Sequence, residues 1–154
     1  AFRLINNALR RSNNEDPHPL AVTTYCLDRA LKKLRAVHMD KTRRFKPRYL
    51  WRGMRNLDLS AAFELSGGTE AALMSTTTCL TVVAGYAKSH TPLLFRIKVE
   101  SPMEMGADMT WVSLFPHEKE ILYPPLTYLK PMFKQSIKGH ATGTVLTVKV
   151  SFPT

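Results

Sequence analysis

Apolar and polar positions divide the chain into a helical front and a strand-rich back. "LINNAL" (Leu4–Leu9) spaces its apolar side chains as a short helix does. A longer helix is predicted over Pro19–Val37, where a proline stands at the start and Leu20, Leu27, Leu31 and Leu34 form one stripe. The polar "RRSNNEDPH" between the two reads as a turn. "RYLWRGM" (Arg48–Met54) is short, rich in aromatics and ended by Gly53, which predicts a strand. A short helix follows in "LDLSAAFEL", with Asp58 or Ser60 able to cap it. Gly67 and Gly68 break the chain before a strand around Ala72–Thr76, and "CLTVVAGYAKS" (Cys79–Ser89) reads as a helix striped by Leu80, Val83, Ala84 and Ala87.

The back of the chain alternates. In "PLLFRIKVE", Phe95, Ile97 and Val99 face one way while Arg96, Lys98 and Glu100 face the other. Glu118–Tyr123 and Thr144–Phe152 are two further strands, and no internal repeat, linker or low-complexity stretch interrupts them. This order of elements predicts one α+β domain over residues 1–154. "SLFPHEKEILYPP" poses a question within it. In a strand, Glu118 and Glu120 would point the same way, and two like charges side by side on a structural surface repel without recompense.

Composition narrows the class. A chain of 154 residues can bury one sizeable core, and 44% hydrophobic with 22% charged residues is the content of an ordinary soluble globular protein. No stretch approaches the roughly 20 apolar residues of a membrane span, so no membrane partner is expected. The N-terminus lacks the layout of a signal peptide, and its first residue is Ala1 rather than Met. A processed chain, or a catalytic domain excised from a longer protein, is expected. Cys26 and Cys79 are too few and too far apart for a disulfide framework or a zinc site. Both are read as buried thiols in a reducing compartment, a single bridge being the alternative.

The net charge of +10 and the pI of about 9.9 call for an anionic partner or a basic surface. The densest run is "KTRRFKPR" (41–48), with five cations in eight positions. It reads as a solvated loop before a strand, with docking of an acidic protein surface or a polyanion as the functional alternative. Zinc-finger, RRM-type and basic-zipper signatures are all missing, so nucleic acid is not an expected partner. The histidines at 18, 38, 90, 117 and 140 have no metal-ligand spacing, so no metal is expected. His117, beside Glu118, is the one placed to touch a site.

An aromatic-Arg-Gly strand ("LWRG"), then a Ser-Thr-Thr strand end ("MSTTT") leading into a helix, then Glu-x-Glu resembles the mono-ADP-ribosyltransferases. Within them it is most similar to the Arg–Ser–Glu branch shared by vertebrate arginine-specific enzymes and several bacterial toxins. The resemblance covers roughly Leu4 to Phe152, including "LINNALR" and the "FPHEKEILYPP" block. Each motif is weak alone; the three in order, at these separations, are specific. The resemblance implies two small, strongly twisted β-sheets enclosing an NAD cleft, flanked by an N-terminal helical layer. It further implies transfer of ADP-ribose from NAD, as substrate, to an arginine-bearing protein acceptor, with release of nicotinamide. A monomeric domain acting in the cytosol, or delivered into a host cytosol, is the matching expectation.

Chemistry accounts for the residue types. Cleaving ribose from nicotinamide passes through an oxocarbenium-like state, as in glycoside cleavage, and a fixed carboxylate stabilises it in a dry cleft. The resemblance assigns that carboxylate to Glu120, which also would hold the ribose 2′-hydroxyl. Glu118 would orient an arginine guanidinium and take its proton; family members that modify asparagine or guanine usually carry Gln there. Ser75 would hydrogen-bond and orient Glu120. Arg52 supplies the fork for the pyrophosphate, Gly53 admits the backbone to the nicotinamide amide, and Ser75 with Thr76 completes the cofactor side.

Two positions depart from the family pattern: Thr77 replaces the last serine of Ser-Thr-Ser, and Trp51 replaces the usual Tyr or Phe. Tyr86 reads as core rather than as a nicotinamide platform. "SPMEMGADMTW" (Ser101–Trp111) lies where the family places a loop folding over the nicotinamide end, and Ser113 opens the loop to Glu118, where it would help shape acceptor recognition. The alternatives are an NAD glycohydrolase, with water capturing the same cation, and a basic interaction module that keeps the fold without turnover.

Overall fold

The computed structural model describes residues 2–11, 18–41, 45–55, 57–85, 88–139 and 142–152. The helical front is α1 (Phe2–Arg10) and α2 (Ala21–Lys41), followed by β1 (Arg48–Arg55), α3 (Ala61–Ser66), β2 (Gly68–Glu70), β3 (Met74–Thr77) and α4 (Leu80–Ala84). The back comprises β4 (Pro92–Val99), β5 (Ala107–Asp108), β6 (Glu120–Tyr123), β7 (Thr127–Ser136) and β8 (Thr144–Ser151). The expected α+β class holds.

The strands form one mixed sheet in the order β2-β7-β8-β4-β1-β3-β6-β5. It has two arms. In the larger, β1 pairs with β4 along its whole length, β4 runs parallel to β8, and β7 is antiparallel to β8. In the smaller, β3 pairs with β6 from Met74↔Tyr123 to Thr77↔Glu120. The arms meet at one register pair, Trp51↔Thr77. What the sequence presents as two small sheets is therefore a single ladder nearly divided at β1–β3.

The two faces of the sheet carry separate apolar packing, and the larger cluster spans both arms, taking in Met74, Ile121 and Tyr123. Leu50, Phe95, Ile97, Val99, Leu146 and Val148 anchor the larger core, where Phe63 of α3 stacks on Phe95 with ring centroids 5.8 Å apart. Ser60 caps α3 by accepting from the Phe63 N–H at 3.2 Å. Gly67 ends that helix at φ 74, and a Cβ there would lie 2.3 Å from the Leu129 carbonyl oxygen, so the position admits only glycine. The smaller core sets Leu122 and Ala107 against Ile5 and Leu31, with Leu20, Leu27 and Leu34 packed around them. The predicted leucine stripe of α2 is the face that does this.

Arg35 ties α2 to the small arm. Its guanidinium donates to the carbonyls of Met105 (2.7 Å) and Met103 (2.9 Å) and lies 3.4 Å from the centroid of the Phe152 ring. Burial lowers its pKa from the ordinary arginine value, but an arginine stays protonated at working pH. Arg35→Met keeps the stem and removes the charge, leaving two carbonyls without their donor. We expect a loss of about 3 kcal/mol, read as a melting temperature lower by roughly 6–12 °C.

Several expectations are corrected. Gly53 does not end β1, which runs on to Arg55. The helix predicted over Cys79–Ser89 is only Leu80–Ala84, with Leu80 exposed and Val83 buried; Tyr86 and Ala87 lie outside the described residues, as do most of the "RRSNNEDPH" turn, positions 42–44 of the basic run and His140. Neither cysteine is buried. Cys26 is exposed because it lies off the leucine stripe, and Cys79 is half-buried at the N-cap of α4. Both are free thiols. Among the described residues no helix is long and apolar enough to cross a membrane.

Candidate active site

A cleft of ≈ 150 Å³ opens where the two arms meet, lined by Trp51, Arg52 and Gly53 of β1, Ser75–Thr77 of β3, Val82 and Val83 of α4, and Glu118 and Glu120. All six residues singled out from the sequence are among them. Register explains part of this. Thr77 is opposite Glu120 and Ser75 opposite Leu122, so Ser75, Thr77 and Glu120 share one face, with Ser75 the diagonal neighbour of Glu120. Among the described residues no hydrogen bond joins the side chains of Ser75 and Glu120. Thr76 points the other way and is buried, its hydroxyl donating to the Ile121 carbonyl at 2.7 Å. That hydroxyl is committed within the sheet, so whatever Thr76 offers a ligand comes from the rest of the residue.

Glu118 reaches the cleft by a route the sequence did not suggest. It is not in a strand. Pro116–Glu118 forms a 3-10 turn with proline at its start, and Lys119 follows in the left-handed region at φ 48, ψ 52. The turn and the left-handed residue redirect the chain between the two glutamates, and both still line the same cavity. A non-glycine residue at positive φ carries a cost of about 1 kcal/mol or more and persists where its surroundings hold it.

Thr77 is part of what holds it. Its hydroxyl donates to the Glu118 carbonyl and accepts the Cys79 N–H at 2.8 Å. The last residue of the Ser-Thr-Thr motif therefore links the backbone of Glu118 to the entrance of α4. Thr77→Val is isosteric and removes both bonds, at a cost of about 1–3 kcal/mol for the groups left unpaired. We expect it to lower the melting temperature by roughly 2–12 °C, with Thr77→Ser restoring it. Thermal melts of the three proteins check this.

Arg52 is pinned from two sides. Its Nη1 donates to the Ser75 carbonyl at 3.0 Å, and its Nη2 lies 3.9 Å from Oε2 of Glu70. The same carboxylate accepts from Arg10 Nε and Nη2 at 3.0 and 3.1 Å and from the Ala72 N–H at 3.0 Å. Glu70 thus gathers two guanidinium groups at the edge of the cleft, and sequence reasoning missed both it and Arg10. The available signal was a lone carboxylate between "GG" and the apolar "AALM". Its cationic partners come from α1 and β1 only once the chain has folded. Asn6, two-sided on the Leu73 backbone at 3.2 Å each way, fixes α1 there.

Ser101–Trp111, where the family places a loop folding over the nicotinamide end, does not reach the cleft. The segment packs beneath α2, where Arg35 takes the carbonyls of Met103 and Met105. His117 is exposed, edge-on to Phe115, and does not line the cleft. The loop before it displays Trp111, Leu114 and Phe115, from 57% to 89% exposed, and Ser113 braces it by accepting the Phe115 N–H at 3.0 Å. The Cys79 thiol is held below its ordinary range, chiefly by its hydrogen bond with Thr81. Among the described residues no group of three or more metal-binding side chains is gathered.

The model of the NAD:arginine ADP-ribosyltransferase family matches residues 1–143. The chain belongs to the NAD:arginine ADP-ribosyltransferase family. NAD is this family's substrate. Solved structures of ADP-ribosyltransferases share the fold. HopU1 of Pseudomonas syringae pv. tomato superposes with a TM-score of 0.73 at 22% identity, over 97% of this chain and 65% of its own. Vis of Vibrio splendidus, in complex with agmatine, gives 0.66 at 19% identity over 98% and 68%. Exoenzyme S of Pseudomonas aeruginosa, bound to carba-NAD and a human 14-3-3 protein, gives 0.61 at 18% identity over 95% and 66%. The chain thus spans about two thirds of the length of these proteins. Comparison with curated protein sequences finds no match.

Proposed function

We propose that this chain transfers ADP-ribose from NAD to arginine side chains of a protein, releasing nicotinamide. The observation that carries the reading is the pair of carboxylates, Glu118 and Glu120, on one cleft that also holds Arg52 and Ser75. The bond between ribose C1′ and the pyridinium nitrogen breaks, its electron pair leaving with nicotinamide. The Glu120 carboxylate stabilises the cation left on the ribose. A guanidine nitrogen of the acceptor then bonds to C1′, and Glu118 accepts the proton it sheds.

The geometry supports the roles of the other parts. Arg52, held by Ser75 and Glu70, presents a preoriented fork to the pyrophosphate, with Gly53 beside it in β1 for the nicotinamide amide. Ser75, diagonal to Glu120, is placed to orient that carboxylate once NAD brings them together. The exposed apolar loop at Trp111–Phe115 adjoins Glu118 and suits a macromolecular acceptor better than a small one. Agmatine bound to Vis is a small guanidine of the kind this reading requires.

Incubation with NAD labelled in its adenosine half, with and without agmatine, tests the reading. Label on agmatine supports the arginine-directed transferase. Free ADP-ribose at an unchanged rate in both arms indicates a glycohydrolase, and unconsumed NAD indicates a binding module.

A further inference from the structure

We propose that the open face of the larger arm is a docking surface for an acidic segment of the protein acceptor. The inference rests on the transferase reading above for the nature of its partner, and on different residues for its evidence.

The face is read from the register. Tyr49 is opposite Lys98 and Trp51 opposite Arg96; Arg96 is opposite Thr147, which is opposite Phe133, and Lys149 is opposite Lys130. These side chains lie on one side of β1, β4, β8 and β7, the side away from Phe95 and Ile97. Tyr49 and Phe133 are 44% and 46% exposed, and Lys98, Lys149 and Lys130 all reach solvent. Two carboxylates belong to this patch, Glu104, which accepts the Glu100 N–H at 2.6 Å and attracts Lys149, and Glu100 itself. Glu100 binds the ammonium groups of both Lys98 (2.7 Å) and Lys149, and those two lysines hold its own pKa down to about 2. It therefore stays ionised and keeps two ammonium groups side by side, while Lys130 and Arg96 remain beyond its reach. Four cations against two anions leave the patch positive, in line with the charge of +10.

The same geometry selects among polyanions. Single-stranded nucleic acid uses free aromatic faces on which bases stack. Here Arg96 lies between the two exposed rings, 5.0 Å from the Tyr49 centroid and 5.2 Å from that of Phe133, and is fixed by Thr147 Oγ1 (2.9 Å) and Gln135 Oε1 (3.1 Å). The rings are engaged with a cation, and the lysines remain as point charges for carboxylates. The face is continuous with the cleft through Trp51, which lines it. Glu118 precedes β6, and β4, β8 and β7 are three, four and five strand spacings from β6, about 14 to 24 Å. An arginine at Glu118 and an acidic tract about five residues away can therefore be held at once, each by the opposite charge.

Two synthetic peptides test this, each carrying one arginine, a spacer of about five glycine and serine residues, and then four glutamates or four glutamines. Affinity is read by fluorescence anisotropy and transfer from labelled NAD on the same peptides. The glutamate peptide is expected to be favoured about tenfold in both at low salt, and the preference to vanish at about 0.5 M salt. Lys98→Gln/Lys130→Gln/Lys149→Gln should abolish the preference while leaving agmatine modification unchanged. The same charge loss on α2, Arg29→Gln/Lys32→Gln/Lys33→Gln, should leave the preference intact. Equal affinity for the two peptides, or a preference that survives the sheet substitutions, overturns the proposal. So does a single-stranded DNA of about 12 nucleotides that binds the face in place of the glutamate peptide. Should agmatine go unmodified, the transferase reading fails, and the anisotropy still decides the face.

Discussion

Glu120→Gln is expected to reduce both ADP-ribose transfer and NAD hydrolysis by about 100- to 1,000-fold, the scale of losing one preorganised electrostatic group. Glu120 opens β6 opposite Thr77, half-buried, and is held by the strand rather than by a flexible loop. Glutamine fits the same space and keeps a hydrogen-bonding oxygen, so the variant isolates the charge. In the proposed mechanism the ribosyl cation forms before capture by either arginine or water, which is why the two activities should fall together. Initial rates of nicotinamide release and of agmatine labelling, with folding checked by thermal melt, measure this. Turnover like that of the wild type would remove Glu120 from the role assigned to it.

The parts of the fold that were legible are those whose pattern is local. The leucine stripe of α2 and the alternation of β4 each state their buried face outright, and the Ser60 cap was visible as a residue type at a helix start. β7 was not legible. Pro131 interrupts its alternation, and a register shift between Pro131 and Phe133 marks an irregularity in the pairing with β8. β2 has three residues, paired with β7 some 60 positions away in sequence, and no local signal specifies that. α4 was overextended because the valines and alanines before Gly85 satisfy a helical stripe without enough buried surface to sustain one.

The site was legible to the extent that chemistry restricts residue types. A pyrophosphate needs a fixed fork and an oxocarbenium needs a carboxylate, and Arg52 and Glu120 stand in motifs that supply them. The conformation delivering Glu118 was not legible, because nothing in "PHEKE" announces that Lys119 takes a positive φ. Nor were the roles of Thr77 and Glu70, whose partners come from elements distant in sequence. Thr77 keeps the hydroxyl of the serine it replaces and adds a methyl group. Its hydroxyl is the part the structure uses.

Glu118→Gln should separate the two activities that Glu120→Gln removes together. The side chain lies at the end of a 3-10 turn whose backbone is tied down by Thr77, so the substitution changes charge and not position. Making the ribosyl cation requires negative charge close to the ribose, and that remains with Glu120. Capture by arginine requires in addition a group that attracts a guanidinium, orients it and takes up its proton, whereas water needs much less assistance. Transfer to agmatine should therefore fall about 100-fold or more while slow NAD hydrolysis persists. Both rates are to be measured on one preparation. A parallel fall would place Glu118 in NAD cleavage itself, alongside Glu120. Unchanged rates would remove Glu118 from the role assigned to it and leave Glu120, the other carboxylate lining the cleft among the described residues, to take up that proton.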